Sequence, residues 1–263
     1  MLRAISYGGG VQSTALLVMQ AKRLFSVDVP LAIFANVGDD SENPATIEYV
    51  NNYAIPYCEK HEIEFITVQK EARGIGPDTI LNWLGRTEKS IGIPVRMANG
   101  APGNRSCTHQ FKINPVKNEL KRRGATTDEP ARLALGISWD EFSRMRSDSG
   151  IPIVKHEYPL IHRKMTRDDC KTLILSSGLP LPPKSSCWFC PFRRVADWEE
   201  MAVNEPELFQ KTVALETFLN ERRAKIGRDN IYFSSRLRPL PIAVTGTGDE
   251  DSASCDIAGY CHS

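Results

Sequence analysis

No apolar run in this 263-residue chain approaches the roughly 20 residues that a membrane-spanning helix needs. The first residues also lack a charged stretch followed by an apolar core and a cleavage site, so the chain reads as soluble and cytoplasmic. An excess of one charge is missing too. The 33 Lys and Arg residues face 32 Asp and Glu, a net charge of +1, which argues against indiscriminate coating of nucleic acid but leaves room for local basic patches. No internal repeat is visible, and the length suits one large domain, or one domain with an appendage, with a sizeable core. Seven cysteines make an odd set, and with no leader they point to thiols, metal ligands or redox chemistry rather than a disulfide framework. His109, His156 and His162 show no metal-binding spacing.

What is present begins with Ser6-Tyr7-Gly8-Gly9-Gly10-Val11-Gln12-Ser13-Thr14, between a short apolar stretch and an apolar-periodic helix expected to start near Ser13. Three consecutive glycines remove every Cβ where a strand turns into a helix, so the backbone can take positive φ and approach a ligand closely. The unpaired N–H groups and the dipole of a first helical turn stabilise an anion there, and Ser13 and Thr14 can cap the helix. The segment is not a Walker A loop, since no Gly-Lys-Ser/Thr follows, nor the spaced G-x-G-x-x-G dinucleotide fingerprint. Taken alone it is either a phosphate cradle or a bare glycine turn.

Downstream, Pro30 to Val37 reads as a buried parallel strand closed by Gly38-Asp39-Asp40. Ligands of open α/β sheets bind at the carboxyl ends of strands near a switch point, so Asn36, Gly38 and Asp39 are candidates for a nucleotide's sugar or base. A helix broken at Pro56 spans Pro44 to about Glu62, and Glu64 to Gln69 is a third strand. This βαβαβ opening predicts a doubly wound, mostly parallel sheet. Thr79 to Lys89 suits a helix, Ala98 to Asn104 a loop, Ala131 to Ser138 a fourth strand, Val154 to Leu160 a short extended segment and Thr166 to Ser177 a helix. One or two helices run from Asp197 to about Lys225 with a break at Glu205-Pro206. A boundary is expected near residue 178, between a nucleotide-binding domain (1–178) and a helical, cysteine-bearing region (179–263).

Four stretches carry a family resemblance: the glycine loop, Asn36-Val37-Gly38, Arg105-x-Cys107-Thr108 with Phe111-Lys112-Ile113-x-Pro115, and Lys184-Ser-Ser-Cys187-x-x-Cys190-Pro191. Together they resemble the adenine nucleotide alpha hydrolases with their PP-loop, in particular the phosphoadenosine phosphosulfate reductase branch and the enzyme that prepares DNA for phosphorothioate modification. The resemblance implies a PP-loop (HUP-type) fold that binds ATP or a sulfonucleotide through Ser6, Gly8, Gly9, Gly10, Gln12, Ser13 and Thr14. It implies an enzyme that either adenylates a substrate for sulfur insertion, with nucleic acid as one acceptor class and a donor such as a cysteine desulfurase, or reduces a bound sulfate. Related reductases carry Asp-Thr-Gly where this chain has Asn36-Val37-Gly38. ATP-using relatives place an aspartate where this chain has Gln12, which can hydrogen-bond but offers no charged oxygen to Mg²⁺. The reductases' nucleophilic cysteine in Glu-Cys-Gly-x-His has no counterpart in Gly259-Tyr260-Cys261-His262, which disfavours sulfonucleotide reduction. A nucleotide-binding protein with structural zinc and no turnover is the reading from a different class.

Adenylyl transfer depends on positioning and charge stabilisation. Arg105, Lys112 and Arg144 are the cations expected to supply the charge, while Lys121 to Arg123 and Arg222-Arg223 read as helix faces. Trp139 and Phe142 can stack on a base. The core is the more natural place for Phe142.

Cys187-x-x-Cys190 brings two thiolates within reach of one metal or makes a redox dithiol, although its late position after a proline connector disfavours a thioredoxin-like role. Cys58 and Cys170 read as buried small hydrophobes. Cys107, Cys187, Cys190 and one terminal cysteine, Cys261 rather than Cys255, are expected to converge on one centre. Spacing leaves tetrahedral zinc and a 4Fe–4S cluster open, and the resemblance favours the cluster. The plainer alternative is a C-x-x-C pair acting alone beside a disordered tail.

Overall fold

The computed structural model describes residues 1–86 and 90–245. In chain order the elements are β1 (Arg3–Tyr7), α1 (Val11–Ala21), β2 (Leu31–Asn36), α2 (Pro44–Tyr49), α3 (Ile55–Lys60), β3 (Glu64–Ala72), β4 (Gly76–Asp78), α4 (Ile80–Arg86), β5 (Arg96–Met97) and α5 (Asn114–Arg122). There follow β6 (Ala131–Leu135), β7 (Val154–Glu157), α6 (Pro159–His162), α7 (Arg167–Leu175), α8 (Val195–Asn204), α9 (Pro206–Lys225), β8 (Ile231–Tyr232) and α10 (Leu240–Ala243). The chain divides into two units. The first joins Met1–Thr79 to Thr108–Ser186, and the second joins Ile80–Cys107 to the described residues from Cys187 onward. Where the sequence suggests one cut near residue 178, the second unit therefore also takes in the segment 80–107.

The first unit is the doubly wound sheet. Its strand order is β4-β3-β2-β1-β6-β7, parallel throughout except for the antiparallel edge strand β4. The chain builds outward from β1 through β2 and β3, then crosses to lay β6 and β7 on the other side, so the switch point lies between β1 and β6. Alternate residues of one strand feed opposite cores, as a parallel sheet covered on both faces requires. Ile5, Ala32 and Phe34 pack with Leu16, Leu17, Cys58 and Ile174, whereas Ala4, Leu31 and Ile33 pack with Val116, Leu120, Leu133 and Leu135.

Asn43 caps α2 by accepting from Ala45 N at 2.9 Å, and Pro44 occupies the first turn, where its missing N–H costs nothing. A wider π-type turn over Val50–Ala54 then admits Pro56 into the start of α3, so the chain bends there without losing its helical course. The fourth strand stops at Leu135, short of the expected Ser138, because Ile137 N folds back onto Leu135 O at 3.0 Å.

The second unit is mainly helical, with β5 and β8 pairing antiparallel. Asn220 of α9 clamps β8 by bonding both Ile231 O (3.0 Å) and Ile231 N (2.8 Å). The buried Glu216 carboxylate accepts from Phe233 N and Leu240 N, each at 2.8 Å, and burial raises its pKa despite those bonds. Among the described residues no helix is long and apolar enough to cross a membrane.

Candidate functional site

The turn after β1 carries the glycine loop. Gly9 has φ +77°, and Gly10, in extended conformation, is the N-cap of α1, so the helix starts at Val11, two residues before the expected Ser13. Ser13 and Thr14 are therefore inside the helix rather than at its cap. The Ser13 hydroxyl closes back on the loop, donating to Gly10 O (3.0 Å) and accepting from Gly10 N (3.2 Å). Thr14 Oγ1 lies 3.3 Å from Tyr7 Oη, whose pKa burial raises. No acidic side chain stands in the first turn of α1, so its N-terminal partial charge meets no carboxylate of that turn.

A Cβ on Gly9 would lie 2.6 Å from Thr46 Cγ2 and 3.6 Å from Ser185 Cβ. The close approach expected from a ligand at this glycine is thus made by the protein itself, by α2 and by the segment before Cys187. That packing leaves a polar signature. Thr46 Oγ1, Ser185 Oγ and Ser186 Oγ are buried with no hydrogen-bond partner among the described residues, while Ser186 O accepts from Asn43 N at 3.2 Å. Buried hydroxyls normally find partners, and the Thr46 and Ser185 side chains that carry two of these pack against Gly9. Sequence reasoning quoted both serines without giving them a role and passed over Thr46, because lone hydroxyls are commonplace on surfaces.

The turn after β2 behaves differently. Asn36 Nδ2 donates to Asp39 Oδ1 (2.7 Å) and Asn36 Oδ1 accepts from Gly38 N (2.8 Å). Gly38, at φ +113°, is overlain by Thr79, whose Cβ would sit 2.4 Å from an added Cβ. Asn36, Gly38 and Asp39 build this turn, and none of them lines the cleft described next.

A cleft of about 710 Å³, its open mouth included, lies between the sheet and α5. Ser6 and Gly8 come to it from the end of β1, and Phe34, Ala35 and Glu42 from β2 and beyond. Ile113, Val116, Leu120, Leu133, Ile151 and Val154 give it an apolar wall, and Lys112 and Lys117 bring positive charge. His156, also in the lining, is held toward its neutral form by burial, opposed by Asp148. Thr108–Ile113, which carries Lys112, is a second π-type turn, leading directly into α5.

Gln12 is buried and fully engaged. Its Oε1 accepts from Arg167 Nη1 (2.9 Å), and its Nε2 donates to Glu141 Oε2 (3.1 Å) and Ser138 Oγ (3.4 Å). Glu141 also holds Arg144 at 2.8 Å, so this buried guanidinium, read from sequence as a catalytic cation, has a carboxylate of its own. Gly136 permits the arrangement, since a Cβ there would fall 2.8 Å from Ser13 N and 2.9 Å from Gln12 C. Phe142, expected in the core, is 48% exposed beside Trp139 at 43%, because Trp139–Arg144 forms a 3₁₀ turn.

Arg105, Cys107, Cys187 and Cys190 belong to the second unit. Cys107 N bonds to Gly92 O (2.9 Å), and the C-x-x-C segment forms a tight turn closed by Cys190 N to Cys187 O (3.1 Å) over the buried Phe189. The Arg105 guanidinium lies 4.5 Å over the Phe192 ring, and among the described residues its Nε and Nη1 have no hydrogen-bond partner. Among the described residues no three His, Cys, Asp or Glu side chains are placed to hold a metal ion. Cys255 and Cys261 lie outside the described residues. Cys58 and Cys170 are buried, with pKa values pushed up to about 12 by burial, which keeps them as neutral thiols.

No protein-family profile matches the chain and no curated protein matches it. Among solved structures it is similar to a U34-tRNA thiolase, NcsA from Methanococcus maripaludis, determined with its 4Fe–4S cluster. That similarity spans 83% of this chain and 72% of the other at 16% identity, with a TM-score of 0.43.

Proposed function

We propose that this protein is an adenine-nucleotide-using enzyme of the phosphoadenosine phosphosulfate reductase and PP-loop type, which adenylates a substrate for sulfur insertion, with nucleic acid as the acceptor. The observation that carries the reading is a positive-φ glycine at a helix N-terminus without acidic residues, packed against the side chains of Thr46 and Ser185, whose buried hydroxyls have no partner among the described residues. Phosphate oxygens satisfy such groups, and the helix dipole favours their charge. The apolar wall beside the loop suits a purine, with Lys112 on the same cleft.

In this reading an acceptor oxygen attacks the α-phosphorus of ATP, the bond to the pyrophosphate oxygen breaks, and pyrophosphate leaves. A hydrosulfide-level sulfur from the donor then attacks the activated carbon, the carbon–sulfur bond forms as the carbon–oxygen bond breaks, and AMP leaves with that oxygen. The chain's part is positioning and charge: loop N–H groups and hydroxyls hold the phosphates, and Lys112 offsets charge that develops on them. Gln12, whose carbonyl is taken by Arg167, positions the 3₁₀ turn rather than a metal ion.

Incubating pure protein with ATP, and separately with phosphoadenosine phosphosulfate, tests this directly. Pyrophosphate from ATP is the expected product. Sulfite from the sulfonucleotide would replace the reading by reduction, and the absence of both would leave a binding protein. The four-cysteine centre is a separate part of the proposal. The described residues alone do not assemble it, and no step above runs through it. Anaerobic purification with iron and sulfide analysis is expected to find a cluster that Cys107→Ser and Cys187→Ser each remove. A colourless protein with one zinc overturns the cluster, and an unchanged content in Cys107→Ser removes that residue from the set.

A further inference from the structure

The 3₁₀ turn after β6 holds out two aromatic rings that the core does not use. Trp139 and Phe142 have centroids 5.5 Å apart and stand 43% and 48% exposed, with Met145 beside them at 37%. The two rings form one contiguous exposed aromatic pair rather than single scattered side chains. The turn is held firmly: Trp139 N donates to Met165 O (2.7 Å), Arg167 N donates to Asp140 Oδ1 (3.0 Å), and Glu141 is tied to Gln12 and Arg144. Lys164 takes a left-handed conformation, φ +52°, that glycine would adopt without strain, and its ammonium lies 6.0 Å over the Trp139 ring.

We propose that Trp139 and Phe142 are a stacking platform for an unpaired base of a single-stranded nucleic acid, with Lys164 meeting the phosphate beside it. Rings with exposed faces and a neighbouring cation are how sequence-tolerant single-strand sites are built. Of the acids on this turn, Glu141 is paired with Arg144, and Asp140 accepts from Arg167 N. Among the described residues no carboxylate pairs with Lys164, whose charge faces the ring. Because Glu141 sits between the two rings in sequence and bonds to Gln12 of α1, a base on the platform is held relative to the glycine loop. The platform deepens the reading of nucleic acid as acceptor and rests on it for its purpose, but its test does not depend on turnover.

The test uses the full chain and labelled oligomers of roughly 12 nucleotides, as RNA, as DNA and as the matching duplexes. At least one single strand should bind and quench Trp139 emission, with its duplex about tenfold weaker. Trp139→Ala and Phe142→Ala should each weaken the strand about tenfold at an unchanged unfolding midpoint, while Trp139→Phe keeps most of the affinity. Parental affinity in Trp139→Ala, or a duplex bound as well as the strand, overturns the platform. So does a parental dimer that Trp139→Ala turns into a monomer, since the rings would then serve self-association. A parent that binds strands but not ATP would sink the nucleotide reading and leave the platform standing.

Discussion

The turns after β1 and β2 are built from the same parts and end in opposite conditions. Each follows a buried parallel strand, each has a positive-φ glycine, and in each another segment presses on that glycine, Thr46 on Gly9 and Thr79 on Gly38. Beyond β2 the side chains of Asn36 and Asp39 bond to each other and Asn36 also takes Gly38 N, whereas at the first turn the buried hydroxyls of Thr46 and Ser185 have no partner among the described residues. An unsatisfied buried hydroxyl costs about 1–3 kcal/mol, so the first turn holds polarity in reserve while the second has spent it. Glycine content does not distinguish the two turns. The hydrogen-bond account does.

The largest expected effect erases the difference. Gly9→Val and Gly38→Ala each force a Cβ to within 2.6 Å or less of a threonine carbon at positive φ, and each should lower stability by about 2–4 kcal/mol in urea unfolding. A Gly9→Val protein as stable as the parent would mean that Thr46 yields and the loop is open. Asn36→Ala sharpens the contrast. It removes two hydrogen bonds and should cost about 1–2 kcal/mol, with ATP affinity kept within about threefold of the parent once the folded fraction is matched. A loss of tenfold or more in titration calorimetry would place Asn36 at a nucleotide site.

The smallest effect sets α5, which walls the cleft, against α9 of the second unit. Hydrogen bonds from Arg122 and then Arg123 hold the Glu119 carboxyl at about 2, so its contribution is present above the ordinary carboxylate range and lost as pH falls toward 2. Glu216 runs the other way. Burial raises its pKa, so stability is greatest below the ordinary range and declines as pH rises through the raised value. Glu119→Gln should flatten the acid limb of a urea-midpoint profile, and Glu216→Gln the decline at higher pH. Unchanged limbs would show that other carboxylates dominate.

Much of the fold was legible because buried parallel strands leave uninterrupted apolar runs, as at Leu31 to Val37, and because Pro206 and Gly178 punctuate helices wherever they stand. The positive φ at Gly9 was legible for the same local reason. The partners of Gln12 were not, since Ser138, Glu141 and Arg167 lie 126, 129 and 155 positions away and only the return of β6 and α7 to α1 brings them in. Gly136 gave no sign of its role, because its neighbour is the backbone of Gln12 and Ser13 rather than the next residue in sequence. Phe142 was misplaced because a large aromatic ring is most at home in the core, and here the 3₁₀ turn leaves it 48% exposed.

The central claim is that the orphan hydroxyls beside Gly9 await phosphate. Titrating ATP into parent and into the Thr46→Val/Ser185→Ala double variant, with the unfolding midpoint measured alongside, tests it most directly. The account predicts binding weaker by about tenfold or more with a midpoint equal to or above that of the parent, since the variant loses polar groups that have no partner among the described residues. Parental affinity in the double variant, or a midpoint that falls by the equivalent of about 1 kcal/mol per hydroxyl, would show hydroxyls already satisfied and contradict it.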